Sequence, residues 1–437
     1  MLGLGNEYLP QDYLLFDFRL TSNNTALRAL AASLVDELGL KTGRLDDVKV
    51  DLMVCILANL FQASLTWKCL AISRRPEWYA RIPADEKLPI HSSKFVVNTL
   101  DAMVEHGLIV QYLGQHYDSK DELTNKNKSE LTKIHPTDDL KQQLEFLTID
   151  ELVYVLKDGE IILRDSDRVS IPFDDTPDIV SMRNDLVAYN DLLGQSEIQL
   201  AGLVSDDRSL HTDYLLRNTY YSCNNARSIR LRPMRVRRIF NVDFEHGGRF
   251  YGGIENMPSG LRPKLTINGQ PTVELDFASY QLRMLYHKVG IDYRRDAYAV
   301  AAGYKPEHRD IYKSIVLIAL NAENEFNCLA GIRKDLWEKG LDNLIGGITD
   351  ARIKPLLTNL INAHAPISEY MYSGIGLALQ KTDSDIANCV LKKFRERGVL
   401  VLSVHDSFVI EAARVKELRR LMRSCYRDKF GFYPVIK

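Results

Sequence analysis

A polar pair set between two apolar runs constrains this chain more than any other feature. Residues 399–410 read Val-Leu-Val-Leu-Ser-Val-His-Asp-Ser-Phe-Val-Ile. The β-branched and aromatic residues predict a strand, a turn and a returning strand, with His405 and Asp406 at the tip and Val401, Val404 and Val409 anchoring it. An aspartate between such runs is costly to bury unless something compensates it. The arrangement recurs upstream in Val273-Glu274-Leu275-Asp276-Phe277, where a carboxylate closes a strand-like run that begins at Thr272. Two aspartates at strand ends, far apart in sequence, are what a two-metal site needs. Such a site clamps the attacking and leaving oxygens of a phosphoryl transfer.

The length, 437 residues, suggests two or three domains, and 45% hydrophobic with 26% charged residues is ordinary for a globular protein. The formal net charge of −2 gives no global sign of nucleic-acid binding, so any such surface is local. The six cysteines form no CxxC pair and no zinc-ligand spacing, and are expected as buried, reduced thiols of a cytoplasmic protein. Met1 to Asp17 lacks the basic and apolar regions of a signal peptide. No apolar run reaches the roughly 18 residues of a membrane span, so no membrane partner is expected.

Residues 1–136 are expected to form a mainly helical, winged-helix-like DNA-binding domain. Ala26 to Leu38 and Leu45 to Leu70 carry apolar residues at helical spacing. A further helix starts at an N-cap, Ser92 or Ser93, and stops at Gly107. Ile109 to Leu113 and Leu131 to Ile134 read as two strands around a polar stretch with Lys120, Lys126 and Lys128. Helices followed by such a hairpin resemble a winged helix-turn-helix, in which the helix from Ser92 enters the major groove. Residues 137–240 read as a connector or thumb-like region, with a strand at Glu160 to Leu163 and a helix at Asp175 to Leu193. It ends in Arg227, Arg230, Arg232, Arg235, Arg237 and Arg238, which favour phosphate contact.

Residues 241–437 carry three blocks in order. The first runs Asp276-Phe277-Ala278-Ser279-Tyr280-Gln281-Leu282-Arg283, and then Leu282, Leu285 and Val289 fit a helix. The second is a helix in which Arg309, Lys313, Leu317 and Asn321 recur every four residues and so share a face. Two cations, an apolar contact and an amide along one face suit triphosphate, base and sugar of a nucleotide. The third is the His405-Asp406 hairpin. Together they resemble family A DNA polymerases and the related phage-type single-subunit RNA polymerases, over roughly residues 240–437. Gln380 followed by Asp383, Ile386 and Ala387 resembles the family's glutamine-bearing helix. Gly247-Gly248-Arg249-Phe250-Tyr251 resembles a Gly-Arg-x-Tyr element of the RNA branch. Gln281 stands where the family usually has Glu or Gly, and Asn321 where it has a tyrosine.

The resemblance implies an α+β fold: a right-hand palm built on an antiparallel sheet, with short helical fingers. It implies that Asp276, Asp406 and the Phe277 carbonyl hold two magnesium ions, with manganese an alternative. Arg309, Lys313, Leu317, Asn321 and Gln281 would bind the nucleotide. Arg283, Gln380, His405, Arg249, Arg235, Arg237 and Arg238 would meet nucleic acid. The expected activity is that of a compact DNA-dependent DNA polymerase of a mobile element or phage, using template, primer and dNTPs or NTPs. No exonuclease motif occurs in the N-terminal half, so no proofreading is expected. An RNA polymerase or primase on the same palm, and a catalytically inactive DNA-binding regulator, are the alternatives.

Overall fold

A computed structural model describes residues 9–43, 45–65, 67–80, 82, 88–114, 116–120, 127–148, 151–154, 159–204, 211, 214–215, 228–232, 234–300 and 306–437. The fold is α+β, with sheets that are largely antiparallel. The chain divides into two compact units. One comprises residues 1–159, 197–234 and 258–265; the other comprises 160–196, 235–257 and 266–437. The expected connector is therefore not one body. Residues 137–159 and 197–234 belong to the first unit, 160–196 and 235–240 to the second.

In the first unit β1 (Leu9–Leu15) precedes α1 (Thr25–Glu37), which Asn24 caps by accepting from the amides of Ala26 and Leu27. The helix α2 (Asp46–Ser64) is buried almost all round from Leu52 to Ala63, and forms the centre of this core. The sequence predicts helix as far as Leu70. The helix instead stops at Ser64, Trp67 takes a left-handed backbone, and β2 (Lys68–Ile72) begins. Then come α3 (Ser93–Glu105), capped by Ser92 and closed at Gly107 (φ +70°), β3 (Ile109–Tyr112) and β4 (Thr132–Pro136). The sheet order is β1-β2-β4-β3, with β1 parallel to β2 and the other pairs antiparallel. Lys120 and Lys128 lie in the short paired strands His116–Lys120 and Asn127–Ser129, and Lys126 lies outside the described residues.

The second unit starts with β5 (Ile161–Arg164) and α4 (Pro177–Gln195). β6 (Arg237–Asn241) lies parallel to β5 and antiparallel to β7 (Asp243–Tyr251). The order continues with β8 (Gln270–Asp276), α5 (Tyr280–Lys288), α6 (Arg309–Asn321), α7 (Glu325–Glu338) and α8 (Asp350–Ala363). It ends with α9 (Gly376–Arg395), β9 (Leu402–Val404), β10 (Ser407–Glu411) and α10 (Val415–Phe430). β8, β10 and β9 form an antiparallel sheet in that order. The helix α9 runs along β7 and packs on α4 and α10, while α6, α7 and α8 pack on one another. A disulfide, Cys389–Cys425, ties α9 to α10 across a Cα separation of 6.0 Å. This corrects the expectation of six reduced thiols: facing helices bring the two sulfurs together, a proximity their spacing of 36 residues does not announce. Cys55, Cys69 and Cys328 are free and buried, and Cys223 lies outside the described residues. Among the described residues no helix is long and apolar enough to cross a membrane.

Candidate active site

Sheet register brings the two aspartates together. Asp276 is the last residue of β8 and pairs with Ser407, the first residue of β10. Val404 pairs with Ser407 across a two-residue turn, His405-Asp406, in which His405 has φ +55°. The amide of Phe277 donates to the Asp406 carbonyl at 3.3 Å. On the other side, residues 435–437 run beside 276–278. There Lys437 N donates to the Asp276 carbonyl and Ala278 N to the Val435 carbonyl, both at 2.9 Å. The backbone under both carboxylates is thus held by hydrogen bonds rather than by loop packing, as a precise site requires.

The electrostatics follow from this crowding. Burial pushes the Asp276 carboxyl up to about 7, helped by the neighbouring charges of Asp406 and Glu274; Lys313 and Lys437 pull the other way. Glu274 is two residues back on β8 and accepts a hydrogen bond from Ser407 Oγ. Like charges held this close favour either a proton or a cation between them. Among the described residues no three His, Cys, Asp or Glu side chains form a metal-holding cluster. Two carboxylates completed by backbone, water or substrate oxygens would make an oxygen-only donor set. That composition fits magnesium, which keeps waters and takes one or two carboxylates plus substrate phosphate.

Beside this pair lies a cavity of about 490 Å³. Asp406, Gln281, Lys313, Leu317, Arg249 and Tyr280 are in its wall. Of the predicted stripe on α6, Lys313 and Leu317 line the cavity one turn apart, and Leu317 is 48% exposed. Arg309, at the start of α6, stacks over Tyr298 at 4.8 Å and approaches Asp296 at 3.4 Å. Asn321, at the far end, donates to the Leu317 carbonyl at 2.7 Å. It abuts Gly376, where a Cβ would lie 1.8 Å from the Asn321 Oδ1. The wall also holds Lys339, which sequence reasoning missed; its ammonium donates to Ser314 and Asp335, both at 2.8 Å. No motif marks it, because it comes from the end of a different helix.

Arg249 reaches the site through a backbone device. Gly247 (φ +79°) and Gly248 (φ +72°) form an irregularity in β7 opposite Ile239 and Phe240. A Cβ on Gly248 would lie 2.6 Å from the Phe240 ring. The bend aims Arg249 at Asp383 of α9, which it grips through Nε (3.0 Å) and a terminal nitrogen. Burial raises the Asp383 carboxyl to about 6 against the pull of Arg249. Gln380 is half-buried one turn earlier on α9. His405 is in contact with the Tyr251 ring at 6.0 Å between centroids, and its Nδ1 is buried without a hydrogen-bond partner. Burial and then Arg249 lower its pKa, which keeps the ring neutral.

Three residues expected to meet nucleic acid are engaged within the protein. Arg283 is 4% exposed, and its guanidinium donates to the carbonyls of Ala278 (2.8 Å), Arg295 (2.9 Å) and Tyr293. These bonds pin the loop after α5. Arg238 is 1% exposed and donates to Gly248 O (2.8 Å), Ser384 Oγ (2.9 Å) and Asp385 (3.3 Å), holding β6 and β7 to α9. Arg235 pairs with the buried carboxylate of Glu160. Arg237 is half-buried on β6, Arg230 is exposed, and Arg227 lies outside the described residues.

No protein-family model matches the chain, and no curated protein matches it. The functional reading rests on the residues and their geometry.

Proposed function

We propose that this chain is a template-directed nucleotidyltransferase, best read as a compact DNA-dependent DNA polymerase. The observation that supports it most is the meeting of Asp276 and Asp406 at one end of the β8-β10-β9 sheet, beside a cavity walled by Lys313 and Leu317. Magnesium bound there would lower the pKa of an attacking hydroxyl and stabilise the leaving oxygen. Asp276 and Asp406 would hold it. Lys313, with Arg309 at the head of the same helix, would neutralise charge on a triphosphate. Leu317 offers an apolar surface to a base, and Gln281 stands where it can sense the sugar. Arg249, itself fixed by Asp383, would add positive charge to the cavity wall. In the first unit, α3 followed by the β3–β4 hairpin suits docking on a DNA duplex, as the replication protein of a mobile element or phage would need.

The test is primer extension with each nucleotide set, with and without template. Wild type is expected to extend a primer in magnesium, and Asp406→Ala to lose incorporation by at least about a thousandfold while retaining DNA binding. Undiminished synthesis by the variant overturns the site. Incorporation of NTPs without a primer would move the reading to an RNA polymerase or primase on the same residues.

A further inference from the structure

Tyr280 begins α5 and is 5% exposed. Its ring is stacked on Phe277 at 4.5 Å, 6° from coplanar, and tilts against Tyr426 at 5.9 Å. These contacts fix the direction of its side chain, which forms part of the cavity wall beside Asp406 and Arg249. Its hydroxyl is buried and has no hydrogen-bond partner. An unpaired buried hydroxyl is costly, and native structures keep few of them. Tyr280 is in the wall of a cavity whose contents can supply a partner.

The chemistry of the surroundings narrows that partner. A phosphate is matched elsewhere in the cavity by Lys313, and carboxylates near the hydroxyl disfavour an anion there. The base has an apolar surface in Leu317. A sugar hydroxyl fits, because it can both accept from the phenol and donate to a neighbouring carboxylate. Gln281, next in the chain, faces the same space.

We infer that Tyr280 recognises a sugar hydroxyl of the bound nucleotide, through a hydrogen bond that the free protein leaves unmade. This deepens the nucleotidyltransferase reading and rests on it. Tyr280→Phe removes one oxygen and keeps the aromatic stack. Single-nucleotide incorporation would be measured with NTP, dNTP and 2′,3′-dideoxy-NTP on one primer–template, giving kcat and KM for each.

In the variant, kcat/KM for nucleotides bearing the recognised hydroxyl should fall about tenfold, with the analogue lacking it unaffected. A change in the NTP/dNTP ratio assigns the 2′-hydroxyl; a change in the dNTP/dideoxy-NTP ratio assigns the 3′-hydroxyl. The melting temperature of the free variant should not fall, since no bond within the protein is lost. Active wild type with both ratios unchanged in the variant overturns this inference alone. Wild type inert with every nucleotide overturns the polymerase reading and this inference with it.

Discussion

Asp276 carries an electrostatic cost set by its burial and its neighbours. Its carboxyl is pushed up to about 7 from an ordinary value of 3.8, first by burial and then by Asp406 and Glu274. The folded protein therefore holds a proton there more tightly than the unfolded chain. The resulting stabilisation is fully present below pH 3.8 and is lost as pH rises through about 7. In chelator at pH 8, Asp276→Asn should raise stability by about 2 kcal/mol, allowing for partial solvent screening. Melting curves from pH 4 to 9 should show the variant gaining on wild type as pH rises. Magnesium should stabilise wild type at pH 8 and leave the variant unmoved. A variant less stable than wild type at pH 8 would contradict this electrostatic account. At this scale the positions of the aspartates were legible, because apolar runs mark the strands and the polar residues between or after them mark turns. The fates of Arg238 and Arg283 were not. Both use carbonyl acceptors supplied by a strand irregularity or a loop, and a count of positive charge contains no information about those acceptors.

Elements were readable where local chemistry decides them. Ser92 caps α3 and Gly107 closes it, as their residue types require. The hairpin from β9 to β10 and the stripe on α6 follow from periods of two and of nearly four. The overrun of α2 to Leu70 arose because Trp67, Lys68 and Cys69 fit a helical pattern as well as a strand. Pairing of β2 with β1 and β4 decided the matter, and that is a long-range fact. The Gly247-Gly248 pair reads in sequence as part of a motif, but its mechanical role appears only in the fold. Both residues need positive φ, and neither has room for a side chain. Gly248→Ala should cost about 2–4 kcal/mol, from backbone strain plus the clash with Phe240. It should also misdirect Arg249, so activity should fall further than the folded fraction does. Denaturant melts paired with primer extension, normalised to folded protein, check both parts; a folded variant with full activity would show that the bend does not aim Arg249.

For the whole molecule, the balance of 56 basic and 58 acidic residues means that any affinity for DNA would depend on which cations the fold leaves free. The arginine-rich stretch looks like a phosphate surface in sequence, yet much of it is engaged within the two units. Arg232 approaches Asp17 at 3.6 Å in the first unit; in the second, Arg235 pairs with Glu160 and Arg238 reaches Asp385. Glu160 is 5% exposed, so its pair with Arg235 is shielded from water on the acidic side. Arg235→Ala should therefore lower stability by about 1.5–3 kcal/mol, the worth of a charge-assisted hydrogen bond. It should leave the affinity of the folded protein for duplex DNA, and the slope of log affinity against log salt, unchanged, because a cation already neutralised internally releases no counterion from DNA. Chemical denaturation gives the first quantity, and fluorescence anisotropy at several salt concentrations gives the second. A flatter salt slope with unchanged stability would return Arg235 to the nucleic-acid surface and would mean that Glu160 is paired by another cation.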